Sequence, residues 1–268
     1  RLKSVMVPSQ DGECTFTLKE GGRCPFLNDD NLCDLYIELG EDKLCETCAE
    51  FPRFINDYGN IREIGIAPSC KTAGELMLSY KDELTFDTVE DNSLTPEPND
   101  IDAYTYMHLR QARIVAFGII SDRDISIFER LMLYLDYAKR IQKHLDAERD
   151  ELIAGVAKRF CGADYREELL DRLKSRDEKL HGKRLIKGLR HFFDDFKGME
   201  VINPDWNIHV ARVRQFLDGL TDDSGLAAVM KTYHAGSEAF AHEYEQLAMY
   251  YVYRYMLDAV NDYDILLK

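Results

Sequence analysis

From residue 103 onward, apolar residues recur every three or four positions, which is the spacing of one face of an α-helix. The clearest stripe is formed by Ile125, Phe128, Leu131, Met132, Leu135, Ala138 and Ile141. The pattern predicts helices over residues 103–120, 124–147, 149–161, 164–176, 178–197, 206–219, 225–234 and 238–263. This part of the chain is therefore expected to be an irregular helical bundle.

The last predicted helix carries aromatic residues around most of its circumference. Its tyrosines are Tyr244, Tyr250, Tyr251, Tyr253 and Tyr255. A helix of this kind is expected to lie centrally in the bundle rather than on its surface. The tyrosines could form a core with hydroxyls that reach partners at its edge, or they could line a substrate pocket.

The first 81 residues have a different pattern, with short alternating runs separated by turn residues. Val5 to Leu18 predicts a two-stranded ribbon turning at Asp11-Gly12, and a hairpin is expected to lead into a strand over 61–66. Short helices are predicted before Gly40 and after Ser69. Residues 82–102 are acidic and contain Pro96 and Pro98, which predicts a linker.

Five of the seven cysteines fall within 47 residues. This clustering indicates that they share a chemical role. They are Cys24, Cys33, Cys45, Cys48 and Cys70. Isolated buried cysteines would scatter along the chain, as Cys161 does. Thiolates can hold zinc or an iron–sulfur cluster, and either needs four ligands. The spacing contains one C-x-x-C pair and does not decide between the two metals.

These patterns define the predicted architecture. The fold class is mainly α, with a small cysteine-rich α+β metal-binding module followed by the irregular helical bundle. The predicted boundaries are 1–81 for the cysteine-rich module, 82–102 for the acidic linker and 103–268 for the bundle. Cys33 and Cys70 are predicted at helix starts, where the helix dipole favours a thiolate.

The net charge of −15 is concentrated in the first part of the chain. Residues 1–100 carry 9 Lys and Arg against 21 Asp and Glu, while residues 101–268 carry 25 against 28. The negative electrostatic field of the first 100 residues would repel the phosphates of a nucleic acid, which argues against a nucleic-acid partner. An acidic surface could attract a basic peptide or a lysine side chain, or it could simply be solvated.

No apolar run is long enough to span a bilayer, and no signal peptide is recognisable, so we expect no membrane partner and a cytoplasmic location. The chain opens without Met and ends on apolar residues, so we expect it to be part of a longer protein. It contains no G-x-G-x-x-G, Walker loop, H-E-x-x-H or G-x-S-x-G motif. A nucleophilic cysteine paired with a histidine is an alternative chemistry, although no histidine lies in a recognisable pairing motif.

The block CPFLNDDNLCDLYIELGEDKLCETCAEFPRF closely resembles the flagellin lysine N-methylases of the FliB type. The similarity continues in IREIGIAPSCKTAGELML, ISIFERLMLYLDYAKRI and the terminal YEQLAMYYVYRYMLDAVNDYDILLK. A looser similarity connects the cysteine block to YkgJ-like metal-chelating domains. The upstream segment of the family that ends in CC-x-x-W does not occur in this chain.

This resemblance implies a cytoplasmic enzyme that methylates lysines of flagellin with S-adenosylmethionine as methyl donor and carries a [4Fe–4S] cluster, with zinc as the alternative metal. Cys24, Cys33, Cys48 and Cys70 match the cysteine positions of the family, and Cys45 is an alternative ligand. A competing hypothesis is a non-catalytic zinc- or iron-binding adaptor whose cysteine cluster is structural.

Methyl transfer to lysine needs a neutral amine aligned with the methyl group of the donor. Tyrosines and carboxylates can provide the required base. Tyr251, Tyr255 and Asp262 are the predicted catalytic residues, with Glu243 nearby, because spacing of three or four residues can align them on one helix face.

Overall fold

A computed structural model describes residues 2–8, 14–93, 100–180, 183–199, 201, 205–220, 225, 228–229, 231–233, 236 and 238–261. Within these residues the chain is mainly helical, which confirms the mainly α part of the predicted class. The helices are α1 (Leu2–Val5), α2 (Asp34–Leu39), α3 (Glu46–Glu50), α4 (Lys71–Ser79), α5 (Ala103–Ile120), α6 (Ile127–Leu145), α7 (Ile153–Phe160), α8 (Ala163–Leu180), α9 (Lys183–Asp195), α10 (Asp205–Gly219) and α11 (Ala241–Tyr255). The strands are β1 (Met6–Pro8), β2 (Cys14–Phe16), β3 (Arg53–Tyr58) and β4 (Ile61–Ile66).

The chain divides into two compact units. The first, which we call the cysteine unit, comprises Arg1–Ile55 and Ile64–Ala73. The second, the helical unit, comprises Asn56–Glu63 and Gly74–Lys268. The tip of the β3–β4 hairpin is therefore part of the helical unit.

The cysteine unit contains short elements with few buried side chains. β1 and β2 pair antiparallel, with Met6 opposite Phe16, and the predicted turn at Asp11-Gly12 lies outside the described residues. In the second sheet, Gly65 leaves room for the buried ring of Phe54. A Cβ at position 65 would lie 2.2 Å from Phe54 Cζ, so a side chain here would force that ring to move.

The core of the helical unit is built around α5. Its residues Leu109, Ala112, Ala116 and Ile120 have no exposed surface, and their spacing of three or four places them on one face. α5 packs against α6, α7 and α11 through this face. Small residues at two of these positions allow the neighbouring helices to approach closely, which makes α5 the central helix of the unit.

α11 supplies a second buried face. Met249 and Val252 are buried on it, and the chain then tightens into a 3₁₀ turn, Met256–Asn261, that buries Met256 and Leu257. Within the described residues 238–261, the predicted helix over 238–263 is thus an α-helix flanked by 3₁₀ turns. The predicted helix over 149–161 likewise begins with a 3₁₀ turn, Asp150–Leu152, before α7.

α9 and α10 form a pair within the helical unit. Arg214 Nη1 lies 2.7 Å from Asp194 Oδ1, and the ring of Trp206 meets that of Phe196 edge-on at 5.3 Å. The part of the chain that the structure describes contains no helix that is long and apolar enough to cross a membrane.

Candidate functional site

The loop that carries Cys24 and Cys33 is closed by backbone hydrogen bonds. Leu27 and Cys33 form an isolated β-bridge, and Asp34 N donates to Phe26 O at 2.8 Å. The ring of Phe26 is 2% exposed, which fixes the loop in the unit. Cys33 is the N-cap residue of α2, close to its predicted place at the start of that helix. The closure brings the two ends of the loop together.

Cys45 and Cys48 lie one helical turn apart at the start of α3. Cys48 N donates to Cys45 O at 2.9 Å, and the two thiols are hydrogen-bonded. This hydrogen bond, burial and the neighbouring thiols of Cys45, Cys24 and Cys33 raise the pKa of Cys48 to about 11. The thiols of Cys45, Cys24 and Cys33 therefore lie close enough to Cys48 to raise its pKa.

Cys70 stands immediately before α4, as predicted. The thiol of Cys45 contributes most to the raised pKa of Cys48, ahead of burial and the thiols of Cys24 and Cys33. The structure thus groups Cys45 with Cys24, Cys33 and Cys48. The assignment of Cys70 as the fourth ligand and Cys45 as the alternative stays a prediction.

The types of residue present and their positions give different indications about metal binding. Thiolates are the ligands that zinc and iron–sulfur clusters prefer. Among the described residues, however, no three His, Cys, Asp or Glu side chains surround a common point that could hold a metal ion. The chemistry fits a metal, but the thiol positions do not form a finished site.

The helical unit contains a cavity of about 1140 Å³. Its walls come from the hairpin tip, α5, α11 and a segment at residues 81–93 that forms neither helix nor strand, which we call the strap. The lining mixes apolar residues such as Ile114 and Met249 with several charged groups. A cavity of this size can hold a drug-sized ligand.

One end of the cavity is formed by a buried ion pair. The guanidinium of Arg113 donates to both carboxylate oxygens of Glu63, with Arg113 Nη1 2.7 Å from Glu63 Oε2. The two side chains are only 8% and 12% exposed. Arg113 also donates to Tyr253 O at 3.1 Å, and its Cζ lies 5.7 and 5.3 Å from the ring centroids of Phe117 and Tyr253. Together these contacts hold the guanidinium against Glu63 and beside the rings of Phe117 and Tyr253.

A second buried carboxylate, Glu245, lines the cavity at another point. It accepts hydrogen bonds from Arg123 at 2.7 Å and from Arg130 at 2.5 Å, and Arg130 also donates to Ile120 O. Burial alone would raise the pKa of Glu245, but the bonds from the two arginines outweigh burial and hold this pKa below its ordinary value. Glu245 is therefore a carboxylate and not a neutral acid at neutral pH.

An aromatic stack stands inside the cavity. The ring of Phe86, from the strap, lies between Phe117 on α5 and Tyr253 on α11. Ring centroids are 4.9 and 5.0 Å apart, and the planes are inclined by 25° and 26°. Leu84, two residues earlier, packs on the core of the same unit.

The predicted catalytic tyrosines lie elsewhere on α11. Tyr251 and Tyr255 stack on each other at 5.9 Å, and neither lines the cavity. Tyr251 is exposed, while burial raises the pKa of Tyr255 despite the nearby Arg254, whose guanidinium lies over the Tyr255 ring. Asp262, the third predicted residue, lies outside the described residues.

Sequence reasoning missed the residues that shape the cavity. Arg113 stands among the apolar positions of α5, and a charge in such a stripe predicts a buried partner. Phe86 is an aromatic residue in an otherwise acidic segment, which is unusual for a linker. No pattern in the sequence around Glu63 indicates its role, because its partner Arg113 lies 50 residues away.

Comparison with known proteins supplies family information. The family model described as the FliB lysine N-methylase C-terminal domain matches residues 113–268, more than half of the chain. The flagellar biosynthetic protein FliU of Salmonella muenchen is 32% identical over 63 residues, which cover 24% of this chain and 37% of that protein. The chain therefore matches little more than a third of the length of this curated relative. No solved structure matches the chain.

Proposed function

Because the chain belongs to the FliB lysine N-methylase family, we propose that it is a protein-lysine N-methyltransferase that acts on flagellin in the cytoplasm with S-adenosylmethionine as methyl donor. The cavity of the helical unit is the observation that carries this proposal. Nine of the 23 residues that line it, among them Arg113 and Glu245, belong to the matched C-terminal domain, and its volume of about 1140 Å³ leaves room for a nucleoside donor and a lysine side chain together.

The donor supplies a methyl group on a positively charged sulfur, and the protein has to bind and align the amine that receives it. The amine must also lose its proton, which desolvation or a neighbouring base favours. The strap carboxylates Glu83, Asp87 and Glu90 line the cavity and would attract a lysine ammonium to its entrance. The buried pairs around Arg113 and Glu245 keep the walls rigid, so a bound lysine would be held in one orientation.

The proposal includes a [4Fe–4S] cluster in the cysteine unit, with zinc as the alternative. The resemblance of the cysteine block and the proximity of Cys24, Cys33, Cys45 and Cys48 support it. Since no three described donors surround one point, cluster binding requires these loops to close further around the metal. We assign the cluster no step in methyl transfer.

A non-catalytic adaptor remains the second candidate. It is favoured by the fact that the grouped thiols and the cavity belong to different compact units, which is compatible with a purely structural metal. The adaptor predicts that metal removal unfolds the cysteine unit and that no methyl donor binds.

The test is methylation of purified flagellin by anaerobically prepared protein, followed by mass spectrometry of flagellin peptides. Ile114 is an exposed position of α5 that lines the cavity, so Ile114→Trp fills the space without disturbing the core. We expect this change to lower kcat/KM by about 100-fold because the reacting groups are displaced. Met107→Trp, at a similarly exposed position of α5 outside the cavity, is the matched control and should keep full activity.

The predicted tyrosine base is tested in the same assay. Tyr255→Phe removes a hydroxyl and leaves the ring stack with Tyr251 in place. A loss in kcat of about 100-fold would support the tyrosine as a proton acceptor. If Tyr255→Phe keeps full activity while Ile114→Trp is inactive, the reaction belongs to the cavity and the tyrosines are not part of it. If wild-type protein transfers no methyl group, the proposed function is wrong.

A further inference from the structure

The aromatic stack in the cavity has two fixed walls and one ring on a segment without regular structure. Phe117 is partly buried and packs against the core of the helical unit. Tyr253 lies on α11, and its carbonyl accepts a hydrogen bond from Arg113. The guanidinium of Arg113 faces both rings and is held by Glu63. The two walls therefore belong to the rigid part of the unit.

The middle ring is held much less firmly. Phe86 is 49% exposed although it contacts an aromatic ring on each side. The described hydrogen bonds between the strap region and the bundle lie at its beginning, where Gln246 donates to Tyr80 O and Arg123 donates to Lys81 O. Beyond them, Leu84 and Phe86 provide apolar contacts. The Phe86 ring can leave the slot without breaking a buried hydrogen bond.

We propose that the slot between Phe117 and Tyr253 binds the adenine ring of the methyl donor, and that Phe86 occupies this position until the donor displaces it. This inference rests on the proposed function and specifies where its donor binds. Adenine is flat and stacks between aromatic side chains as a phenyl ring does. Arg113 adds a cation beside the slot that interacts with the faces of the two wall rings.

A ring that competes for the slot lowers the apparent affinity for the donor by the fraction of protein in which the slot is free. Removing that ring should therefore strengthen binding, which is the opposite of what removal of a ligand contact does. Stacking of one aromatic ring is typically equivalent to about a tenfold change in affinity. The direction of the effect distinguishes a displaceable plug from a binding residue.

The probe is S-adenosylhomocysteine, which carries the adenosyl group but has no methyl to transfer, and the measurement is isothermal titration calorimetry on the full chain. We expect Phe86→Ala to bind this ligand about tenfold more tightly than wild type. Adding Phe117→Leu to Phe86→Ala should remove about tenfold in affinity, because one wall of the slot is lost. Phe192→Ala, which removes another exposed phenylalanine of the helical unit outside the cavity, should bind like wild type.

A second measurement uses only the wild-type protein, so it does not depend on whether a variant folds. Hydrogen exchange of the strap amides in wild-type protein should become faster when S-adenosylhomocysteine is added, because the strap leaves its place. Free methionine, which has no adenine ring, should produce no such change.

The inference is overturned if Phe86→Ala binds S-adenosylhomocysteine no more tightly than wild type, or if the strap becomes better protected on binding. Methylation of flagellin by the same proteins separates the two claims. If wild type methylates flagellin but Phe86→Ala does not bind S-adenosylhomocysteine more tightly, only the proposed adenine slot is contradicted. The expected binding changes without methylation by any protein would contradict the proposed function alone.

Discussion

At the scale of single residues, buried charges are the features that hold the cavity in shape. Arg113 and Arg130 are almost fully enclosed, and each donates to a carboxylate of a distant part of the chain. Desolvating a charge is costly unless a partner compensates it. The carboxylates Glu63 and Glu245 are therefore structural requirements of the arginines, whatever they also do for a ligand.

Replacing Glu245 with Gln should destabilise the protein by about 3–5 kcal/mol, because Arg130 would remain buried without a counter-charge. Thermal unfolding followed by circular dichroism measures the loss. Asp57→Asn is the matched control, since Asp57 pairs with Arg62 at the surface and both side chains are about half exposed. A surface pair contributes about 0–1 kcal/mol, so equal effects of the two changes would contradict the role given to Glu245.

The same residue predicts a pH dependence. The pKa of Glu245 is lower in the folded protein than its ordinary value of 4.5, so the unfolded state takes up the proton first as acid is added. The stabilisation is complete above about pH 4.5 and is lost as the pH falls through the lowered folded-state pKa. Glu245→Gln should accordingly flatten the acid limb of the stability curve, and an unchanged acid limb would argue against this linkage.

At the scale of elements, sequence patterns predicted the structure that is set by neighbouring residues. They missed the contacts between residues that are distant along the chain. α5 was predicted with the bounds that the structure shows, because its apolar spacing and Asp102 at its N-cap are encoded within twenty residues. Gly40 ends α2 with a positive φ of 86°, which glycine adopts readily, as its sequence position suggested. The 3₁₀ turn after Tyr255 could not be read from spacing, since it follows from how Met256 and Leu257 pack in the core.

The candidate site shows the same limit. The sequence places five cysteines in one part of the chain, but only the fold shows that Cys45, Cys24 and Cys33 lie close enough to Cys48 to raise its pKa. A pocket lined by tyrosines of the last helix was one predicted alternative, and Tyr253 does line the cavity, but its other walls were not predicted. Its walls meet through the pairing of Arg113 with Glu63 and the stacking of Phe86, and neither contact follows any period along the chain.

The start of α6 provides an element-scale prediction. Ser126 accepts a hydrogen bond from Glu129 N, and the Glu129 side chain accepts one from Ser126 N, which together form a capping box. Ser126→Ala should lower the free energy of unfolding by about 1 kcal/mol, measured by urea denaturation. Ser79→Ala is the control, because that hydroxyl lies at the end of α4 and bonds only within its own exposed last turn. Equal losses would show that the capping box is not stabilising.

At the scale of the whole molecule, the thiols and the cavity lie in separate compact units, which makes their contributions separable by experiment. A metal held by the cysteine unit would link otherwise weakly packed loops, since few of its side chains are buried. The helical unit has a large apolar core of its own and does not need that support.

Cys45→Ser together with Cys48→Ser should therefore lower the iron or zinc content of anaerobically purified protein by at least half, as measured by elemental analysis, because two of four grouped ligands are lost. Helix content should change little. Cys161→Ser, at an exposed cysteine of the helical unit, is the control and should keep the full metal content. Equal metal content in all three proteins would contradict metal binding by the grouped thiols.

The edge-on contact of Trp206 with Phe196 gives the protein a built-in optical reporter. The chain contains a single tryptophan, so its fluorescence emission comes from one known place, the pair of helices α9 and α10. Trp206 is 40% exposed and takes no part in lining the cavity. Its emission would follow the opening of that helix pair during denaturation, while circular dichroism follows the helices as a whole. Separation of the two signals would reveal a region that melts on its own.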